Sequence, residues 1–464
     1  MQKLRVFIDS SLEEFSEISF ASLQQLSKLM GLQVERVDAA FAHVAYGIRS
    51  DKALTIACAQ KIGWKAIGNS TPIQFAGMIV PSASLCRSGS EVDPVLATHF
   101  FLSGCHESSQ GSCDENGIPT SAVGVWGIIA EPIIQRLARR LKNNVLNTFP
   151  ELDPRPLWPA GKKWALCLTH DCDYPIRYRP MGCVRDSLLA LREQKLGAAA
   201  KGVAKSVYSA LMSRVALDPY LASWKKWIEF ERTLGIRSAF YVGTWNRYQP
   251  QTDTRDLNYS SFEPRIRRLV SQLHEEGWEV GLHSAIQAWR FPNRFAEEVS
   301  IFEESFGFRP TGFRAHYWSL NPKCREETLL NARAQVGFAY DTSMGMDEVH
   351  GMRRGIAYPY EPYLPNGNGV GLWELPPIMM DYSLYSAAMT NELRLSAFRE
   401  RAESLRRIGG LFVLDWHEYT LARNVMDNLA NDLLPEICRL KEDRECWIAT
   451  PSAIINWCSA ERWK

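Results

Sequence analysis

Residues 164–173, WALCLTHDCD, lead an apolar run straight into a histidine, two aspartates and a cysteine. A buried strand that ends on so much charge is costly unless each group is paired or holds a metal. Taken alone, the stretch leaves two readings open: a strand running into a polar turn, or a metal or acid/base site. Its surroundings weigh on that choice. Further apolar runs follow at intervals: SAFYVG (238–243), WEVGLHS (278–284), GFRAHY (312–317), FAYDTS (338–343), WELPPI (373–378), LFVLDWH (411–417) and CWIAT (446–450). Between them lie stretches such as SFEPRIRRLVSQLHEEG (261–277), whose apolar residues recur at helical spacing. Strand and helix in alternation predict an α/β fold with a parallel sheet, open or closed into a barrel.

Asp171, His283, Arg314, Asp341 and His417 each come at the C-terminal end of one of these runs. In a parallel barrel those ends converge on one face, which is where catalytic groups gather. A polar residue after a single strand is unremarkable. Five such ends, two of them histidines in a chain with only 9, favour a site.

Upstream, PELDPRPLWPAGKK (150–163) carries prolines at 150, 154, 156 and 159 and reads as an extended linker. The organisation expected is an N-terminal α/β or α+β region of unknown role over 1–150, a proline-rich linker over 151–163, and the strand–helix repeat over 164–464. Within the first region LRVFID reads as a strand, SLEEFSEISFASLQQLSKLM as a helix and ALTIACAQ as another strand. The stretch GCHESSQGSC (104–113) fits no usual zinc spacing and reads as a surface loop.

With 464 residues, 46% hydrophobic and 23% charged, the composition is that of a folded globular chain. A formal net charge of +1 gives no general attraction to nucleic acid, and no nucleic-acid partner is expected. No run of about 18 apolar residues predicts a membrane span, and the first residues lack the apolar core of a secretion signal. The 11 cysteines are scattered through apolar segments, as reduced thiols are, and the expected compartment is the cytoplasm. One basic, alanine-rich helical stretch, LREQKLGAAAKGVAKSVYSALMSRV (191–215), reads as a solvated helix packed on the barrel or, alternatively, as a lid or peripheral membrane contact.

Taken in order, the motifs from about Lys163 to Ile455 resemble the polysaccharide deacetylase family, also called NodB-homology or carbohydrate esterase family 4. LTHDCD is similar to the family's first motif, GLHSAIQ to its metal motif, FRAHY to the third, YDTS to the fourth and VLDWH to the last. THDCD with GLHS and RAHY is particularly similar to a bacterial LTHDVD-type subgroup associated with surface-polysaccharide loci, and DPVLATHFFLSGCHE (93–107) resembles the N-terminal region of that subgroup. The resemblance implies a distorted (β/α) barrel of seven to eight parallel strands, preceded by the smaller N-terminal domain. It also implies hydrolysis of an N-acetyl or N-acyl group on a sugar; with no secretion signal legible, the substrate expected is a cytoplasmic one, such as a nucleotide sugar or a lipid-linked glycan precursor.

By the same resemblance, Asp171 is the general base and Asp173 and His283 bind a divalent metal, zinc first. Arg314 holds the base, the Tyr317 N–H faces the oxyanion, Asp341 supports the charged network and His417 protonates the leaving amine. Two positions depart from the pattern: Gln287 stands where the metal motif has its second histidine, and His316 where the third motif has proline. Imidazole is the stronger ligand, so the metal set expected is Asp173, His283 and His316. Asp415, two residues before His417, is expected to hold its imidazole. A metal-free hydrolase of another non-peptide C–N bond, or a silent glycan binder, are the alternatives.

Overall fold

The protein is described by a computed structural model covering residues 3–86, 89, 91–108, 131–178, 183–184, 187–188, 191, 196–215, 218–244, 255–257, 259–286, 288–385 and 390–459. Its N-terminal region opens with a parallel sheet of β1 (Leu4–Ile8), β2 (Val34–Arg36), β3 (Val44–Tyr46) and β4 (Leu54–Ile56), in the order β2-β1-β3-β4. A hairpin of β5 (Pro72–Phe75) and β6 (Met78–Pro81) follows. The proline-rich stretch then leads into the larger sheet.

That sheet is built from β7 (Trp164–Cys172), β8 (Ala239–Val242), β9 (Glu279–Ser284), β10 (Gly312–Ala315), β11 (Tyr340–Asp341), β12 (Trp373–Glu374), β13 (Pro377–Met380), β14 (Leu411–Asp415) and β15 (Cys446–Ile448). Eight of these strands follow the path β12-β11-β10-β9-β8-β7-β14-β13, while β15 pairs with the start of β7. Every pairing is parallel. The result is a distorted (β/α) barrel with helices outside. Its two edges, β12 and β13, are separated by only Leu375 and Pro376, so one extended segment passes from one edge of the sheet to the other. Chain continuity spans the gap between those edges.

All nine residues of β7 are buried, as expected of a central parallel strand covered on both faces. Alternation sorts its side chains. Leu166 and Leu168 pack outward with Trp224, Trp227 and Phe240. Ala165 and Cys167 face a second cluster, which also holds Tyr241, Tyr340 and the N-terminal Val6, Phe100 and Ile134. The N-terminal region and the barrel thus share one apolar core. The barrel interior is filled by Tyr241 and Tyr340, whose hydroxyls meet at 3.2 Å. They fit because β9 and β10 carry glycines opposite them: a Cβ at Gly281 would lie 2.6 Å from the Tyr241 ring and one at Gly312 2.3 Å from the Tyr340 ring.

His170 points outward, as alternation requires. Its Nδ1–H donates to Trp416 O (2.7 Å), its Nε2 meets Glu231 Oε1 (2.8 Å), and the ring stacks on Phe240. It braces strand to helix. The stretch expected to form a surface loop is otherwise: Cys105–Ser108 is a helical turn, with His106 and Glu107 buried. Glu107 sits in a buried cage of Arg325, Arg353 and Arg354 at 2.8, 3.0 and 3.4 Å. Such a charge can be buried only because three cations surround it; Cys113 lies outside the described residues. No described helix is long and apolar enough to cross a membrane.

Candidate active site

The parallel register decides which side chains meet. Asp171 lies beside Tyr241 across β7 and β8, and His283 beside Arg314 across β9 and β10. All four belong to the inward set at the C-terminal end of the barrel. Arg314 is fully buried; its guanidinium lies over the Tyr241 ring at 4.5 Å, and its Nη1 contacts Asp171 Oδ1 at 2.8 Å and Asp415 Oδ1 at 2.7 Å. Its Nε and Nη2 donate to Thr342 O (3.0 Å) and Oγ1 (3.1 Å). One cation is therefore shared by two carboxylates. Burial opposes ionisation of Asp171, but Arg314, His283 and His417 outweigh it and hold its carboxyl below the usual range. Burial wins at Asp415, whose carboxyl is pushed far up, with Asp171 adding to the shift.

Above this pair Asp173, His283 and His316 converge, with one ligand-type atom from each lying within 4.8 Å of the others. His283 Nε2 is 3.1 Å from Asp173 Oδ1, and His316 Nε2 is 3.3 Å from Asp173 Oδ2. The other nitrogen of each ring is occupied: His283 Nδ1 meets Arg314 O at 2.9 Å and His316 Nδ1 meets Asp256 Oδ1 at 3.4 Å. Those outer partners accept from Nδ1 and direct each Nε2 at the Asp173 carboxylate, to which its N–H donates; a metal ion would take the place of that Nε2 proton, as in histidine–metal sites with supporting acceptors. Two imidazoles and a carboxylate so directed fit a divalent metal ion. Burial disfavours charge on Asp173, yet His316, His417 and the His283 hydrogen bond hold it well below the usual range.

His417 completes the group from β14's end. Its Nε2 lies 3.4 Å from Asp173 Oδ2, and its Nδ1 lies 2.9 Å from Asp381 Oδ1. Asp381 Oδ2 also accepts the His417 backbone N–H at 2.7 Å. The residue that holds this imidazole is thus Asp381 and not Asp415. Strand β14 ends at Asp415, so alternation no longer governs position 417, and Asp415 turns inward to Arg314 instead. Asp381 is the first polar residue after β13, and the strand-end rule that picked out Asp171 would have found it. Asp256 and Glu418 were not legible in the sequence. Glu418 accepts the backbone N–H groups of Asp173 (3.2 Å) and Tyr174 (2.8 Å), fixing the loop that carries the aspartate.

Tyr317 follows His316 in a turn where it and Trp318 adopt φ of +54° and +50°. Such backbone is strained for bulky residues and is kept where the surroundings demand it. Asp341 stands apart from the cluster: it accepts from Ser343 Oγ at 2.6 Å, and Ser343 Oγ accepts the Ala315 N–H at 2.8 Å. Its contribution is to the backbone just before His316. Gln287 lies outside the described residues.

No protein-family profile and no curated protein matches the sequence. Solved structures with a similar course include a protein of Mycobacterium smegmatis named as a polysaccharide deacetylase, 19% identical over 66% of this chain and 93% of that one, TM-score 0.44. A Puue allantoinase is 13% identical, covering 67% and 95%, TM-score 0.42. A Pseudomonas aeruginosa PAO1 protein, again named as a polysaccharide deacetylase, is 12% identical, covering 67% and 95%, TM-score 0.41. Several of the similar structures are thus named as polysaccharide deacetylases, at low identity.

At the mouth the His417 ring faces Tyr419 at 5.4 Å, and Tyr174 and Tyr220 lie 5.6 and 5.3 Å from Tyr419. Three tyrosine rings thus stand together beside His417. His417 is the most accessible member of the charged group, while Asp171, Asp173, His283, Arg314 and His316 are buried.

Proposed function

We propose that this protein hydrolyses an N-acetyl or other N-acyl group on a sugar or glycan precursor, in surface-polysaccharide biosynthesis. One observation carries the reading: a metal-type triad (Asp173, His283, His316) lies between an arginine-held carboxylate (Asp171) and an aspartate-held histidine (His417). Amide hydrolysis needs an activated water, a stabilised oxyanion and a proton for the amine, and this arrangement offers a group for each.

A zinc-type ion held by Asp173, His283 and His316 would lower the pKa of a bound water and polarise the acyl carbonyl. Asp171, with Oδ1 on Arg314, leaves Oδ2 on the cluster side, 3.6 Å from His283 Nε2, where it can take the water's proton. The raised Asp415 carboxyl leaves the arginine's charge to Asp171, which keeps the base ionised. His417, held at Nδ1 by Asp381, keeps Nε2 beside the triad, 3.4 Å from Asp173 Oδ2, and passes a proton to the departing nitrogen. Burial would lower its pKa, but Asp381, Tyr419 and Asp173 raise it well above the usual value, so it starts protonated. The Tyr317 N–H is assigned to the oxyanion on position alone. A reducing, cytoplasmic setting belongs to the same proposal and suits the free thiols of the described cysteines.

The test combines metal analysis of the purified chain with acetate release from N-acetylated sugars, nucleotide sugars and lipid-linked glycans. Asp173→Asn and His316→Ala should lose metal and turnover together; Asp171→Asn should keep the metal and lose turnover. Full activity in all three variants would refute the reading.

A further inference from the structure

The excursion between β7 and the helix Pro219–Leu234 carries a helix, Leu196–Val215, that is turned inside out. At 3.6 residues per turn, its inward face is small: Ala199, Ser206 and Ser209 are buried, and a Cβ at Gly202 would lie 2.2 Å from Ser187 Oγ. Its outward face is large and apolar. Leu196, Val203, Val207 and Leu211 are 72%, 56%, 58% and 61% exposed, although a solvated helix would place its charges there. Lys201 and Lys205 flank this stripe, both exposed, and residues 194–217 contain no aspartate or glutamate.

We propose that this helix docks the protein on an anionic phospholipid surface, with the Leu/Val stripe among the acyl chains and the lysines at the head groups. Charge complementarity selects this occupant over a second copy of the chain. A two-fold contact between two such helices would bring lysine against lysine with no carboxylate to pair them.

The helix is tied to the barrel mouth. The excursion leaves just after Asp173 and returns at Asp218, whose carboxylate accepts the N–H groups of Arg177 (3.0 Å), Tyr178 (2.8 Å), Tyr220 (3.0 Å) and Leu221 (3.3 Å). The Tyr178 ring lies 6.1 Å from that of Tyr208 on the helix. Docking would therefore hold the opening close to the lipid surface. Resting on the deacylase reading, this selects lipid-linked N-acyl sugars over free nucleotide sugars as the substrate class.

The experiment is co-sedimentation of the full chain with vesicles of phosphatidylcholine plus phosphatidylglycerol, or of phosphatidylcholine alone, without substrate. Because no turnover is read, its failure leaves the site reading standing. The wild type should bind the mixed vesicles, with binding about tenfold weaker to the neutral ones, and should be released by salt. Val203→Glu/Val207→Glu and Lys201→Glu/Lys205→Glu, all at exposed positions, should each weaken binding about tenfold or more at unchanged circular dichroism. Absence of wild-type binding to mixed vesicles, or binding that the valine variant leaves intact, would overturn the proposal. So would a dimer in light scattering that the valine variant splits, which would make the stripe a contact between copies.

Discussion

Replacing Arg314 by lysine keeps the buried positive charge and removes the planar fork, which separates charge from geometry in one change. In the wild type one guanidinium makes four contacts: Nη1 to Asp171 and Asp415, Nε to Thr342 O, and Nη2 to Thr342 Oγ1. A lysine ammonium can sit between the two carboxylates but cannot also reach both Thr342 oxygens. Leaving two buried acceptors unmatched costs about 1–2 kcal/mol each, so about 2–4 kcal/mol of stability should be lost. For a chain of 464 residues that is a fall in Tm of about 2–4 °C. The Asp171 carboxylate, no longer fixed by the fork, should drift by a fraction of an ångström or more, which costs about a hundredfold in kcat. Metal content should be unchanged, because Arg314 touches the triad only through its backbone oxygen at His283. The assays are thermal unfolding, metal analysis and acetate release on whichever substrate the wild type accepts. Wild-type Tm and turnover in Arg314→Lys would refute the reasoning. Lost stability with retained turnover would show that Asp171 is not positioned by this arginine.

Asp381→Asn should lower kcat by about a hundredfold or more at constant metal content, since it removes the charge that keeps His417 oriented and protonated; an unchanged rate would detach His417 from the chemistry. In the N-terminal region, burial pushes His99 and His106 each down to about 4, whereas in the unfolded chain they titrate near 6.5. Between pH 6.5 and 4 the unfolded state then binds more protons, so these groups favour folding above pH 6.5 and lose that contribution as the pH falls toward 4. Urea midpoints at pH 7.5 and 5.0 should show the loss, and His99→Gln should reduce it by about half; an equal pH dependence in the variant would exclude His99 from it.

The sequence by itself determined the larger fold. Alternating apolar runs and helical segments specify a parallel sheet because buried strands and amphipathic helices differ in period, and period is local. The same rule placed Asp171, His283, Arg314 and His417 at strand ends, and alternation alone turned His170 away from Asp171. Contact between His316 and Asp173 required more than alternation: His316 lies one residue beyond β10, in the helical turn that follows it, and its ring meets Asp173 from there. Partnerships across the barrel were decided only by tertiary structure. Asp415 ends β14 and Asp381 follows the end of its neighbour β13, and nothing in their local sequence says which faces Arg314 and which His417; the register shift between β13 and β14 and the end of β14 at Asp415 assign them. Asp256 and Glu418 reach the site from loops, whose course depends on packing and not on periodicity. The helix Leu196–Val215 shows the same division. Its composition was plain in the sequence, but which face met the protein depended on a close approach at Gly202, and that approach leaves the leucines and valines outward.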